Sequence, residues 1–449
     1  MGAFKAYDIR GIYNVDFNRD TVYKIGFFLP RLLNCNAVLV GRDVRLSSPE
    51  IHDALISGIT DAGCDVHDLG LCTTPMVYYA TKYYGADASV QITASHNPPQ
   101  YNGLKISRRD ALPVGGETGL RDLEKLVNEE KAVPVQDKGK VKDYSSFRKI
   151  YVDYQRHFVP DLSDLKITID TSNGMSALVI KDILSDWKDI KYINDTLDGS
   201  FPSHEPNPLE VRNCAQLMEA VKQNGSDIGV IYDGDADRVM FIDEEGNFIQ
   251  PDYVTALIGY YYKKKGVTGN ALVDIRTSRS TSQYLEKLGF PVTIWKVGHA
   301  YAKLKIREIN GIFGGELAGH YYFRDFGNCD SGILASLFVL SVASDLKKEG
   351  KTISSFMKEI VSYANSGEVN FRLDDKDGAI DALVSFFTSE EKPERILDFD
   401  GWRIEFPSWW FNVRKSNTEP YLRIVCEAKD AILLKEKMDE ISSIIHRFN

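Results

Sequence analysis

Short apolar runs and longer amphipathic segments alternate along most of the chain. The apolar runs are rich in β-branched residues and end at turn formers, while 116–131 and 213–224 carry apolar residues at helical spacing. This alternation predicts α/β units built on a parallel sheet. The most apolar run, GILASLFVLSVA from Gly332, is too short to cross a bilayer and predicts a buried helix.

Three segments share one pattern, which indicates an internal repeat. AVLVGRDVRLSS from Ala37, KITIDTSNGMSA from Lys166 and ALVDIRTSRSTS from Ala271 each combine an apolar strand, a charged residue and small polar residues that open a helix. Later in each unit a second apolar run ends in a loop rich in functional groups. Since ligands bind outside the carboxyl ends of strands in open α/β sheets, we expect three similar domains sharing one cleft.

The last part of the chain has a different pattern. WWFNVRKSNTEPYLRIVCEA from Trp409 predicts a strand, a polar loop and a strand, followed by an amphipathic helix over 431–448. The expected fold class is therefore α/β, with three similar α/β domains on mixed sheets and a C-terminal α+β domain around a central cleft. We expect the domains at 1–140, 141–249, 250–362 and 363–449.

Composition narrows the class of protein. The 449 residues are 43% hydrophobic and 26% charged, as in ordinary globular proteins, and the net charge is -10. This acidic balance argues against a nucleic acid or a membrane surface as partner. The six cysteines form no C-x-x-C pair, and the N-terminus lacks the apolar core of a signal peptide. We therefore expect reduced thiols and a cytoplasmic protein.

The segment DGDADR places three carboxylates, Asp233, Asp235 and Asp237, at alternate positions. Small residues between them let the backbone curl, so the three oxygens can meet at one point and suit Mg²⁺. A solvated turn or a helix cap is the alternative. A calcium-binding loop is excluded, because Arg238 stands where that loop needs glycine for its sharp turn.

QITASHNPPQYNGLKI begins like a buried strand and breaks at Ser95 and His96. Magnesium usually shares its ligand shell with phosphate oxygens, so Ser95 is the candidate for a phosphorylated residue that completes the metal site. The alternative is that Ser95 is a turn or N-cap residue. Because neighbouring side chains of an extended segment point to opposite sides, His96 is not an obvious base for Ser95.

Two further loops carry groups that suit a phosphorylated sugar. VRKSNTEPYLR offers guanidinium groups and hydroxyls that match phosphate, although an ordinary hairpin loop remains possible. GGELAGH sets Glu316 and His320 four residues apart, which suits hydroxyl recognition and proton transfer, with a plain surface turn as the alternative. Other cations follow apolar strands and suggest a cleft for more than one phosphate: Arg10, Arg42, Arg45, Lys105, Arg276 and His299.

Four motifs occur in order along the chain: TASHNP, DGDADR, GELAGH and RKSNTEP. Together they resemble the α-D-phosphohexomutase family, most closely its phosphomannomutase/phosphoglucomutase branch. No single motif is specific, but four of them over nearly the whole chain are.

The resemblance implies an isomerase that interconverts hexose 6-phosphate and hexose 1-phosphate. Phosphorylated Ser95 would hold Mg²⁺ together with Asp233, Asp235 and Asp237, and would pass its phosphoryl group to the sugar. A bound hexose 1,6-bisphosphate, of glucose or mannose, would be the intermediate and activator. The expected partners are small-molecule hexose phosphates, namely those of mannose and also of glucose. The chain would be a monomer or weak dimer.

The resemblance also implies roles for individual residues. The expected catalytic residues are Ser95, His96, Lys105, Arg10, Arg238 and His299. Glu316 and His320 would bind sugar hydroxyls, and Arg42 and Arg276 would be further cleft cations. The non-reacting phosphate would be held by Arg414, Ser416, Asn417, Thr418 and Arg423. Two departures are Ala318, where many relatives have serine, and Arg276, where many have lysine.

Three alternative functions fit parts of this pattern. A phosphoglucosamine mutase belongs to the same family, but GELAGH disfavours it. A magnesium-dependent sugar-phosphate phosphatase would use the same serine and metal and release inorganic phosphate. A silent sugar-phosphate binding protein would have no reason to keep both Ser95 and the aspartate triplet.

Overall fold

The computed structural model describes residues 2–416 and 421–448. Within these residues the strands form four sheets, one in each of four successive regions of the chain. The expected fold class, three similar α/β domains and a C-terminal α+β domain, is confirmed.

The first domain contains one mixed sheet. Its strands are β1 Ile9–Ile12, β2 Ala37–Arg42, β3 Asp65–Leu71, β4 Ala88–Ile92, β5 Tyr101–Arg108, β6 Leu112–Pro113 and β7 Val141–Asp143. Its helices are α1 Arg19–Leu33, α2 Ser48–Asp61, α3 Thr74–Tyr84 and α4 Leu120–Glu129. The strand order is β1-β5-β4-β2-β3-β7, with β6 beside β5.

The second and third domains each contain a five-stranded mixed sheet. The second comprises α5 Phe147–Arg156, β8 Ile167–Asp170, α6 Ile180–Ile183, β9 Ile190–Ile193, α7 Ala215–Asn224, β10 Ile228–Tyr232, β11 Val239–Asp243 and β12 Phe248–Ile249. The third comprises α8 Pro251–Lys264, β13 Asn270–Asp274, α9 Arg279–Leu288, β14 Val292–Trp295, α10 His299–Glu308, β15 Gly311–Gly315, β16 Tyr321–Phe323, β17 Cys329–Asp330, α11 Gly332–Lys348 and α12 Ile353–Ile360. Their strand orders are β12-β11-β10-β8-β9 and β14-β13-β15-β16-β17.

The fourth domain has an antiparallel sheet with two long helices. Its elements are β18 Ala364–Arg372, α13 Lys376–Glu390, β19 Arg395–Leu397, β20 Trp402–Glu405, β21 Trp409–Lys415, β22 Tyr421–Ala428 and α14 Ala431–Ile445. The strand order is β18-β22-β21-β20-β19. The expected helix after Ala431 is therefore present.

The predicted repeat is visible in the strand pairing of the first three sheets. In each, the strand before the functional loop pairs parallel to the first strand of the unit and antiparallel to the strand after the loop: β4, β10 and β15. In each, an aspartate after or at the end of the first strand accepts the backbone N–H two residues on: Asp43, Asp170 and Asp274. The three functional loops thus have equivalent positions.

One large apolar cluster joins the first three domains. It includes Leu39 of the first domain, Ile169 of the second and Phe313 of the third, and most of α11. The predicted buried helix from Gly332 is confirmed, because α11 packs its residues almost all round against this cluster. A second cluster fills the other face of the first sheet, and a separate one fills the fourth domain.

One expected boundary needs correction. We expected the second domain to begin at residue 141, but β7, Val141–Asp143, pairs parallel with β3 and extends the first sheet. Its three residues are exposed and are bound mainly through the backbone ladder, which apolar patterning does not reveal.

Candidate active site

The loop after β4 holds Ser95 in an unusual backbone conformation. Ser95 has φ 52°, in the left-handed region, and its backbone N–H donates to Thr93 Oγ1 over 2.9 Å. The fully buried guanidinium of Arg45, which follows β2, donates to the carbonyls of Ser95 and Asn97 over 2.8 and 2.6 Å. Arg45 therefore fixes the shape of the serine loop from a neighbouring strand.

The interpretation of His96 as pointing away from Ser95 is wrong. That interpretation assumed an extended segment, whereas the left-handed turn at Ser95 brings His96 Nδ1 to 3.5 Å from Ser95 Oγ. Burial and then the charges of Arg238 and Arg10 lower the pKa of His96 well below its usual value. The imidazole is therefore neutral at neutral pH.

The three aspartates of DGDADR meet at the serine. Asp233, Asp235 and Asp237 are fully buried, and one oxygen of each lies within 4.8 Å of the others. Ser95 Oγ donates to Asp233 Oδ2 over 2.8 Å, although 138 residues separate them. Thr74 of α3 donates its hydroxyl and its backbone N–H to Asp235. The domain contact therefore positions the triplet against the serine.

Lys105 of β5 supplies a positive charge to this triplet. Its ammonium lies 2.7 Å from Asp235 Oδ2 and also binds Asp237 Oδ2. Burial would raise the pKa of Asp235, but the Lys105 ion pair lowers it below its usual value. Burial and the charges of Asp235 and Asp237 raise the pKa of Asp233 well above its usual value. The pKa values of these two aspartates are therefore shifted in opposite directions, and Asp233 is the one that binds Ser95.

Three further predicted residues surround the triplet. Arg10 of β1 pairs with Asp8 and donates to Asn97 Oδ1 of the serine loop over 2.9 Å. The backbone N–H of Arg238 donates to Asp233 Oδ1 over 3.1 Å. Burial and the charge of Lys303 lower the pKa of His299, whose ring lies 5.8 Å from that of His320.

Glu316 and His320 share one tight turn but point to different groups. Glu316 binds the Tyr322 hydroxyl, and its Oε2 accepts the Gly298 N–H over 3.1 Å. Burial raises the pKa of Glu316. His320 Nδ1 instead lies 2.7 Å from Asp330 Oδ2 and 3.8 Å from Asp237 Oδ1. His320 therefore lies with Asp330 and Asp237, whereas Glu316 binds Tyr322 and Gly298.

Asp330 and Lys303 are members of the site that we did not predict. Both are buried; Lys303 Nζ lies 2.8 Å from Asp330 Oδ1 and 3.5 Å from the centre of the Tyr78 ring. The signal was present: Asp330 ends β17 and precedes a serine that caps a helix, as in the repeated pattern at the first strands. Lys303 gave no comparable signal, since it occupies one turn of α10 among other cations.

The predicted phosphate residues form a second group, at the contact between the third and fourth domains. Arg276 pairs with Asp274 at 2.8 Å and with Glu368 at 2.9 Å. Arg414 and Arg423 lie opposite each other on β21 and β22. The backbone N–H of Ser416 donates to the Tyr421 carbonyl over 2.9 Å, whereas Asn417 and Thr418 fall outside the described residues.

Arg42 is not brought together with these groups. Arg42 is the last residue of β2. Burial would raise the pKa of Asp68, but the hydrogen bond with His52 and, to a smaller extent, the charge of Arg42 lower it. Arg45, three residues on, instead reaches the serine loop. The sequence pattern does not distinguish these two arginines, because they lie only three residues apart at the carboxyl end of the same strand.

A buried serine beside three carboxylates that could hold a metal ion, with clustered arginines nearby, suits phosphoryl transfer, which depends on positioning and charge neutralisation. Comparison with known proteins defines the class further. Four descriptions of phosphoglucomutase/phosphomannomutase match in succession: alpha/beta/alpha domains I, II and III over 1–133, 149–246 and 250–363, and the C-terminal domain over 368–444.

Individual relatives cover nearly the whole chain. The phosphomannomutase of Vibrio cholerae serotype O1 is 35% identical over 466 residues, covering 100% of this chain and 99% of its own. That of Methanocaldococcus jannaschii is 34% identical over 450 residues, covering 99% and 98%. The crystal structure of a phosphoglucomutase/phosphomannomutase family protein from Burkholderia thailandensis has a TM-score of 0.88 at 26% identity, covering 99% and 96%.

The chain therefore belongs to the phosphoglucomutase/phosphomannomutase family and is a phosphohexomutase. The family is metal-dependent, and the buried aspartates form a possible metal site. No helix among the described residues is both long and apolar enough to cross a membrane. All six cysteines are free and buried, as expected for reduced thiols.

Proposed function

We propose that the enzyme interconverts the 6-phosphate and 1-phosphate of mannose, and of glucose as well, through phosphorylated Ser95 and a bound hexose 1,6-bisphosphate. The observation that carries this proposal is the hydrogen bond from Ser95 Oγ to Asp233 inside the aspartate triplet. It gives the serine hydroxyl an acceptor, and it puts any phosphoryl group on Ser95 beside oxygen ligands for a cation.

The donor set fits Mg²⁺. Asp235 Oδ1 and Asp237 Oδ1 are buried and without a hydrogen-bond partner among the described residues, which is costly unless another group compensates them. Asp233, Asp235, Asp237 and the Ser95 side chain would hold the ion, which suits hard oxygen ligands. When bound, Mg²⁺ would neutralise charge on the phosphoryl group and make phosphorus more electrophilic.

The surrounding cations and histidines suit the transfer itself. A loose phosphoryl transition state needs positioning and charge neutralisation, which Lys105, Arg10 and Arg238 can supply. His96 and His299 have lowered pKa values and are therefore neutral at neutral pH, as a group that accepts a proton from a sugar hydroxyl must be.

The two groups of residues are arranged for a substrate with two phosphorylated positions. The charges of His320, beside the aspartate triplet, and of Arg276, in the arginine group, both act to lower the pKa of Glu316, which supports a place for Glu316 near both groups. We assign Glu316 to a sugar hydroxyl and Arg414, Ser416 and Arg423 to the non-reacting phosphate. His320 remains a candidate for the sugar as well, although Asp330 engages its Nδ1.

We further propose a cytoplasmic enzyme that is a monomer or weak dimer.

A single set of assays tests the proposal. Mannose 1-phosphate, glucose 1-phosphate and glucosamine 1-phosphate are each supplied with Mg²⁺, with and without hexose 1,6-bisphosphate. The wild type should form 6-phosphates of mannose and glucose and need the bisphosphate for full rate. Ser95→Ala should lose turnover. Ser57→Ala, which removes only a hydroxyl bound to the Asp53 carbonyl on α2, is the matched control and should keep it.

Two results would contradict the proposal. Stoichiometric release of inorganic phosphate without 6-phosphate would identify a phosphatase, and turnover of glucosamine 1-phosphate alone would identify the other mutase. Intact-protein mass spectrometry should also detect one added phosphoryl group on the wild type and none on Ser95→Ala.

A further inference from the structure

The arginines at the contact between the third and fourth domains are already balanced by carboxylates. We call this set the interdomain arginine cluster; it comprises Arg276, Arg414 and Arg423 with Asp274, Glu368 and Asp400. Among the residues that the structure describes, three positive side chains of this cluster thus face three negative ones. A phosphate that arrives here must compete with carboxylates for the guanidinium groups.

Glu368 holds arginines from two domains at once. Its Oε2 accepts from Arg276 Nη1 of the third domain over 2.9 Å, and its Oε1 lies 3.3 Å from Arg423 Nη1 of the fourth. Burial would raise the pKa of Glu368, but the charges of Arg276 and Arg423 lower it. Both carboxylate oxygens of an ionised side chain are therefore directed at groups that suit phosphate.

The other two carboxylates are fixed by the backbone. Asp274 accepts the N–H of Arg276 over 2.7 Å and that of Leu317 over 2.8 Å. Asp400 accepts the N–H of Val297 over 2.7 Å. The ion pairs of Glu368 within the described residues are with arginine side chains, and its own side chain retains 16% exposure. Of the three, Glu368 is best able to yield its arginines.

The backbone around Glu368 is irregular where the chain enters the fourth domain. The register of β18 against β22 shifts between Asn365 and Glu368, and Gly367 has φ 65°. A bulge at this place allows the strand to adjust locally without breaking the rest of the sheet. Glu368 therefore lies at the point where the fourth domain meets the third.

We propose that Glu368 is an internal counter-ion that competes with the non-reacting phosphate of the substrate for Arg276 and Arg423. When phosphate binds, it replaces the glutamate and releases a tie between the two domains; when phosphate leaves, the tie re-forms. Glu368 thereby weakens phosphate binding and speeds release. This inference rests on the proposed assignment of the cluster to phosphate.

The test compares Glu368→Gln with wild type for inhibition by inorganic phosphate and for KM and kcat. Removing the charge without changing the shape should tighten phosphate inhibition about tenfold, since charge-assisted hydrogen bonds become available. KM and kcat should fall together, because the product leaves more slowly. Glu368→Asp keeps the charge and should stay closer to wild type.

Asp377→Asn is the matched control. Like Glu368→Gln, it removes a carboxylate of the fourth domain that pairs with a cation, in this case Lys415, the residue after Arg414. This pair is exposed and lies outside the cluster. We expect no change in phosphate inhibition for this variant.

Two outcomes for Glu368→Gln would overturn the inference. Weaker phosphate inhibition with a raised KM would mean that Glu368 only positions the arginines. Unchanged phosphate inhibition would mean that Glu368 does not compete with phosphate. Arg414→Ala separates this from the underlying assignment. If phosphate inhibition is insensitive to Arg414→Ala, the cluster does not bind phosphate, whatever Glu368 does.

Discussion

The buried pair of Asp330 and Lys303 offers a strict test of the charge arrangement beside the triplet. Asp330 is 0% exposed and Lys303 is 1% exposed. Burial opposes the charge on Asp330, yet Lys303 and His320 hold its pKa well below the usual value. Each buried charge therefore has the other as its main compensating charge.

Replacing one partner should leave an uncompensated buried charge. Asp330→Asn leaves the Lys303 ammonium with the Tyr78 ring, at 3.5 Å from its centre, and a neutral amide. Breaking a buried pair in this way costs about 3 to 5 kcal/mol of unfolding free energy. Lys303→Met should cost a similar amount, because it leaves the buried Asp330 carboxylate with His320 alone.

The double variant Asp330→Asn/Lys303→Met removes both charges and should lose less stability than the two single variants together, by about 2 kcal/mol or more. Urea denaturation followed by circular dichroism measures the three differences. The first three domains share one apolar core, so the pair should report on one cooperative transition.

The reasoning would be refuted if the two single effects add to within about 0.5 kcal/mol, since independent sites behave in that way. Activity gives a second reading. Asp330 contacts His320 at 2.7 Å, so Asp330→Asn should lower kcat at temperatures where the variant is folded, and a full kcat would show that this contact does not orient the imidazole.

Two further predictions concern other parts of the molecule. Gly58→Ala would put a Cβ 2.0 Å from the Tyr23 carbonyl oxygen where α2 crosses α1. We expect urea denaturation to show a loss of about 1 to 3 kcal/mol in the free energy of unfolding, although alanine has the better helix propensity. An unchanged denaturation midpoint would contradict this contact. Burial opposes protonation of His204, but its bond to Asp170 outweighs burial and raises its pKa above 6.5. The stabilisation of the folded state by this ion pair is complete below pH 6.5 and is lost as pH rises through the folded pKa of His204. His204→Gln should therefore lower the free energy of unfolding more at about pH 5.5 than at about pH 8.5. An equal loss at both pH values would reject the ion pair.

Much of the fold could be predicted because it depends on local patterns. The repeated combination of strand, aspartate and small residues predicted three similar units, and α11 and α14 follow from apolar spacing. The strand β7 was missed because its residues are exposed and its place in the sheet depends on backbone pairing with β3.

The candidate site was predicted less completely. Ser95 and the triplet carry their chemistry in short motifs, whereas Asp330 and Glu368 matter through what lies opposite them. The error at His96 has the same origin, since the left-handed conformation of Ser95 is stabilised by Arg45, a residue 50 positions away.

The sequence by itself determined the repeated α/β units, the different pattern of the last domain, the position of four functional loops and the types of group that they present, because these depend on residues close together in the chain. Only the tertiary structure decided that the pKa is raised at Asp233 and lowered at Asp235, which cations pair with which acids, and that Glu368 contacts arginines of two domains. Burial and charge pairing set these properties, and both arise from contacts between residues far apart in sequence.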